Sequence, residues 1–177
     1  MKTIIGFLLL LFSVVPVKAQ SYPFISPRFR FSVVVPAGAS AMTGENLSPE
    51  TTLFHCRIVM NEAPVWDGVT TVFTLHTPEI AEIDKGNVFA VMHDFLDMSS
   101  DSMGTPFTNR KDTSVGELPA IEFEYRYSNS GGIKFHVHGK LICSRKTGFL
   151  YEVLGISPYP EQESTSQNFV DSFAALR

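Results

Sequence analysis

The sequence predicts an α+β domain: an antiparallel sheet of about six strands with helices packed on its faces. Three observations predict it. Six segments read as strands: four alternate apolar and polar residues with period two, one is rich in β-branched residues and one is apolar on both faces. Two others repeat apolar residues at three and four, which marks amphipathic helices. No internal repeat, low-complexity tract or domain linker interrupts them. A length of 177 residues fits one domain. The chain is 44% hydrophobic and 18% charged, against about 25% charged in an average soluble protein. That balance excludes a disordered chain, a collagen-like repeat, a disulfide-dense miniprotein and a polytopic membrane protein.

The first segment is read as an address. Lys2 precedes the apolar run Ile4–Phe12, Pro16 breaks it, and Val17-Lys18-Ala19 offers small or apolar residues where a signal peptidase reads. The run is shorter than the roughly 20 residues of a spanning helix. Residues 1–19 are therefore expected to be a signal peptide cleaved after Ala19, leaving no membrane span, and no Cys follows to carry a lipid. Loss of Lys2 and Lys18 lowers the basic count from 14 to 12 against 18 acids, a net charge of −6. A secreted or periplasmic chain of that sign repels nucleic acid, whose binding rests on phosphate neutralisation.

The elements follow in order. Residues 20–27 hold Pro23 and Pro27 and read as an extended lead-in, and a single domain is expected over 28–177. Phe29, Phe31, Val33 and Val35 alternate with Arg30 and Ser32 in a first strand, stopped by Pro36 and Gly38. Thr51–Met60 is a second, with Phe54, Cys56, Ile58 and Met60 on one face and His55 and Arg57 on the other. Residues 61–68 read as a loop and Val69–His76 as a third strand, stopped by Pro78. Over Asp84–Met98, Val88, Val91, Met92 and Phe95 recur at helical spacing, and Asp84 or Asn87 is a candidate cap. Ile121–Tyr127 is the fourth strand. Asn129-Ser130-Gly131-Gly132 predicts a hairpin, and Phe135–Cys143 is the fifth strand. Arg145–Gly148 turns the chain into Phe149–Ile156, which is apolar on both faces except at Glu152 and so suits a central strand. After Pro158 and Pro160, a helix capped by Ser164, Thr165 or Ser166 directs Phe169, Phe173 and Leu176 inward, with Arg177 suited to its C-terminus.

Cys56 and Cys143 are the only cysteines. Export permits a disulfide, and closing a loop of about 88 residues is worth roughly 4–5 kcal/mol in the chain-entropy model. The alternative is a pair of buried free thiols, since Cys is among the most buried residue types.

His136 and His138 stand two apart on one strand, so both imidazoles leave the same face. With His55 or His76 from neighbouring strands they would supply the three or four donors that zinc requires. The plainer reading is a solvated or partly covered polar face continuing through Lys140. His93 is read as exposed. Asp94, Asp97 and Asp101 form an acidic helix stripe without a calcium-loop pattern, and Glu122 and Glu124 share a strand face as polar alternation or as a carboxylate pair. Trp66, between Pro64 and Gly68, is either an exposed anchor for a partner or a cover over a sheet edge. No nucleophile elbow, phosphate loop or paired-cysteine redox motif is present, and no cofactor is expected.

The segment Phe31-Ser32-Val33-Val34-Val35-Pro36-Ala37-Gly38, the stretch Gly116-Glu117-Leu118-Pro119-Ala120 before an alternating strand, and the ending Phe169-Val170-Asp171-Ser172-Phe173, taken with the element order, resemble the PsbP-like superfamily, which includes small exported bacterial proteins of the DcrB type. The resemblance implies a sheet with helices on its faces and a non-enzymatic binding or assembly role, the partner being an unknown protein or envelope assembly. It carries over no functional residue. The alternative expectation is a zinc-binding protein or metal-dependent enzyme built on the strand histidines.

Overall fold

The computed structural model describes residues 20–60, 63–158 and 162–176. The leader at 1–19 and the charge of Arg177 lie outside them. The chain runs β1 (Tyr22–Ser26), β2 (Phe31–Val35), β3 (Thr43–Ser48), β4 (Thr51–Met60), β5 (Ala63–Thr74), α1 (Thr77–Asp84), α2 (Val88–Met103), β6 (Thr108–Val115), β7 (Leu118–Ser128), β8 (Lys134–Ser144), β9 (Phe149–Pro158), α3 (Glu163–Asp171) and β10 (Ala174–Ala175). Seven strands form one antiparallel sheet in the order β3-β4-β5-β9-β8-β7-β6, and β1-β2-β10 form a small second sheet. Among the described residues no helix is long and apolar enough to cross a membrane.

Each face of the large sheet carries its own core. On one face α3 and the small sheet cover Phe54, Cys56, Trp66, Val72, Ile142, Tyr151 and Val153. On the other α1 and α2 cover Ile121, Phe123, Val137, Leu141, Cys143, Leu150 and Leu154. β9 feeds both cores, as expected of a strand apolar on both faces, and it lies fourth of seven. The small sheet turns Phe31, Val33 and Val35 inward, and Phe173 stacks on Phe31 with centroids 5.8 Å apart.

Two of the elements that the pattern did not disclose lie where packing does not act on it, whereas the undisclosed α1 buries Ile83 in the core. β3 is exposed throughout and β6 nearly so; both are sheet edges, so neither alternates. Pro78 does not merely stop a strand but sits in the first turn of α1, where its missing N–H costs nothing. The loop expected at 61–68 is mostly strand. Trp66 pairs with Ile58, and Pro64 is accommodated beside a register shift at Ile58/Val59. α2 runs on to Met103 and stops at Gly104, whose φ of 60° closes the helix in the left-handed region. α3 ends at Asp171, short of the expected Leu176, whose N–H instead donates to Arg30 O at 2.7 Å.

The disulfide is corrected. Both cysteines are free and buried. Cys56 points into the α3-side core and Cys143 into the α1–α2 core, and β5 and β9 lie between their strands. Three strand spacings are about 14 Å, twice what a bridge spans. Burial pushes the Cys56 thiol up to about 12 and the Cys143 thiol up to about 11. We expect a thiol reagent at pH 8 to label neither cysteine in the native protein and both in denaturant. Intact mass showing no reactive thiol under either condition would contradict this arrangement.

Candidate metal site

β8 sends His136, His138 and Lys140 to the α3 face, and β7 sets Arg126, Glu124 and Glu122 opposite them. This face is not solvated. α3 covers it, leaving His136 2% and His138 8% exposed. What permits that cover is a pair of glycines. Cys56, Gly68, Gly155, His138 and Glu124 stand in one row across β4, β5, β9, β8 and β7. A Cβ on Gly155 would lie 2.5 Å from Ser166 O and 2.6 Å from its Cα, both backbone atoms of α3. The helix therefore rests on the bare sheet backbone, and its first residue, Glu163, reaches the imidazoles.

The two rings lie 4.5 Å apart, between two carboxylates. Glu124 Oε2 is 3.5 Å from His136 Nε2 and its Oε1 is 3.4 Å from His138 Nδ1. On the other side, Glu163 Oε1 is 3.2 Å from His136 Nδ1 and 3.4 Å from His138 Nε2. Despite that proximity, His138 Nε2 is buried without a hydrogen bond. Glu124 is itself oriented by Asn109, whose Nδ2 donates to Oε2 at 2.7 Å from the irregular start of β6.

One donor atom each from Glu124, His136 and His138 falls within 4.8 Å of the others. Tetrahedral zinc with bonds of about 2.0–2.1 Å places donors roughly 3.3 Å apart, close to the two imidazole–carboxylate separations at Glu124. A metal held there leaves the opposite nitrogen of each ring facing Glu163, the carboxylate–histidine–metal arrangement that fixes ring orientation.

The remaining candidates go elsewhere. His55 is exposed on the opposite face of the sheet, and His76 sits ahead of α1 with Nε2 3.6 Å from Glu50; neither joins His136 and His138. Glu122 parts from Glu124 and takes Lys140, at 3.2 Å. Lys140 Nζ also donates to Asp171 Oδ1 at 2.9 Å, pinning the end of α3. Burial alone would raise the Asp171 carboxyl, but Gln167 and Lys140 hold it below the usual carboxylate range. His93 meets Asp112 at 2.9 Å and Asp97 meets Arg110 at 2.5 Å, so that stripe is partly consumed in ion pairs. Trp66 is no surface anchor. It is 1% exposed and packs edge-on against Phe169 of α3, 5.3 Å between centroids.

Glu124 was legible in part, because counting outward from the Asn129–Gly132 turn sets it close to His138. Glu163 was not: nothing local shows which residue of a helix overhangs a strand some twenty-five places earlier.

No protein-family model matches the sequence, and no curated protein matches it. Solved structures do. The solution structure of cyanobacterial PsbP (CyanoP) from Synechocystis sp. PCC 6803 superposes with a TM-score of 0.62 at 14% identity, over 89% of this chain and 93% of that one. A crystal structure from Bacteroides thetaiotaomicron VPI-5482 gives a TM-score of 0.51 at 12% identity over 89% of this chain. This chain spans 49%, about half, of that protein's length. At such identities the likeness concerns architecture alone, and in architecture this chain is PsbP-like.

Proposed function

We propose that this protein is an exported, non-catalytic binding module that holds a zinc-class cation through His136, His138 and Glu124, with Glu163 accepting from the imidazole nitrogens turned away from the metal. One observation carries the reading: two imidazoles and two carboxylates stand at ligand spacing beneath a helix seated on glycines. Two nitrogens with carboxylate oxygen suit zinc and its neighbours rather than calcium or magnesium, which take oxygen alone. Burial of both rings favours holding the ion over turning over a substrate. Export rests on the leader at 1–19. The partner, on the same reading, is a protein or envelope assembly rather than a nucleic acid.

Titration calorimetry on the tag-free chain from Gln20 decides it. We expect one zinc per chain, no response to calcium, and a loss of at least about a hundredfold in affinity for His138→Ala, since one of three protein ligands is gone. Glu163→Gln is expected to cost about tenfold, as an outer partner does. Zinc affinity unaltered by both His136→Ala and His138→Ala would overturn the proposal.

A further inference from the structure

A second feature lies on the other face of the sheet. Between α1, α2 and the ends of β5 and β9 runs a groove of about 500 Å³, within the range of small-molecule sites. Its floor and one wall are apolar, made by Phe73, Val91, Phe95, Met98 and Leu150. Phe73 and Phe95 meet edge-on with centroids 4.9 Å apart, and Met98 is 73% exposed at the lip, an unbranched side chain able to fold over an occupant.

The rim is of one sign. Glu50, Glu79, Glu82 and Asp94 all line it. Against them the rim offers only His76, near Glu50, while Lys85 outside the lining pairs with Glu82 at 2.5 Å. An anion entering this groove meets four carboxylates set against one lysine and one histidine, with Asp94 in no ion pair among the described residues, a neutral apolar molecule leaves that surplus unanswered, and a cation with an apolar tail satisfies both surfaces.

We propose that this groove binds a small amphipathic amine, its alkyl or aryl tail on the Phe73–Phe95–Leu150 floor and its ammonium at the carboxylate rim. The site is separate from the histidine cluster, which lies across the sheet under α3.

Three probes with the same tail test it on the ¹⁵N-labelled chain from Gln20: octylammonium, octanoate and octanol. Octylammonium is expected to shift the amides of Phe73–Leu75, Val91–Met98 and Leu150 saturably, octanoate to leave them in place, and octanol to bind more weakly than the amine. The double variant Glu50→Gln/Asp94→Asn, both rim positions, is expected to keep the spectrum of the folded protein and to weaken octylammonium about five-fold. Equal binding of octanoate and octylammonium, an unchanged affinity in the double variant, or shifts confined to other surfaces would each overturn the proposal.

Discussion

Gly155→Ala is expected to destabilise the protein by about 2–3 kcal/mol, the upper part of the range for overpacking a well-filled interior, and to abolish zinc binding with it. The added Cβ would meet the O, Cα and carbonyl C of Ser166 at 2.5, 2.6 and 2.8 Å. These are backbone atoms, so no side-chain rotation relieves the contact, and α3 must lift. Lifting α3 draws Phe169 off Trp66 and carries Glu163 away from His136 and His138. It also strains the Lys140–Asp171 tie at the far end of the helix. A comparison with Gly131→Ala separates this from the general cost of losing a glycine. A Cβ there meets only Asn129 Oδ1, at 3.4 Å, and a change under about 0.5 kcal/mol is expected. Urea unfolding and a zinc titration read the two effects together. A Gly155→Ala protein with the parent midpoint and zinc affinity would show that α3 does not depend on this seat.

The same contact shows where sequence reading stops. The alternation in Phe31–Val35, Thr51–Met60 and Ile121–Tyr127, and the two-faced apolar run at Phe149–Ile156, disclosed the central strands because burial acts on side chains there. Gly155 breaks no alternation and carries no signal of its own, yet its lack of a side chain decides how near α3 lies. His136, His138 and Lys140 alternate with apolar residues just as a solvated face does. Period two shows that they share a face, and cannot tell water from a covering helix. Cys56 and Cys143 were each placed correctly on the apolar side of a strand, but the two apolar sides are opposite faces of one sheet. Relative face depends on how many strands intervene and in which register, which is a property of the pairing and not of either segment. The edges β3 and β6 left no trace for the converse reason, since neither buries enough to be patterned.

Glu152→Gln is expected to stabilise the protein at pH 8 by about 2–3 kcal/mol and to have no effect below about pH 4.5. Glu152 stands between Leu150 and Leu154 on β9, flanked by Thr71 and Leu141 on the neighbouring strands, on the sheet face that α1 and α2 cover. Burial pushes its carboxyl from 4.5 up to about 7. The sign follows from which state holds the proton. Below about pH 4.5 both folded and unfolded chains carry a neutral carboxyl, and the site is indifferent to pH. Between 4.5 and 7 the unfolded chain has released its proton while the folded chain retains it, so stability falls as pH rises, at 1.36 kcal/mol per unit of separation. Above 7 the folded chain carries the carboxylate, which is only part-buried, so solvent screens the cost to about 2–3 kcal/mol. Gln keeps the shape and removes the charge, so the gain should grow across that window and level off above it. Asp171 works in the opposite direction: held low by Gln167 and Lys140, it adds stability above its unfolded range and loses it in acid, so Asp171→Asn should weaken the protein at pH 7 and matter little at pH 2. Unfolding free energies of Glu152→Gln and the parent, measured from pH 4 to pH 9, check the point. A difference constant across that range would mean that Glu152 is solvated in the folded state.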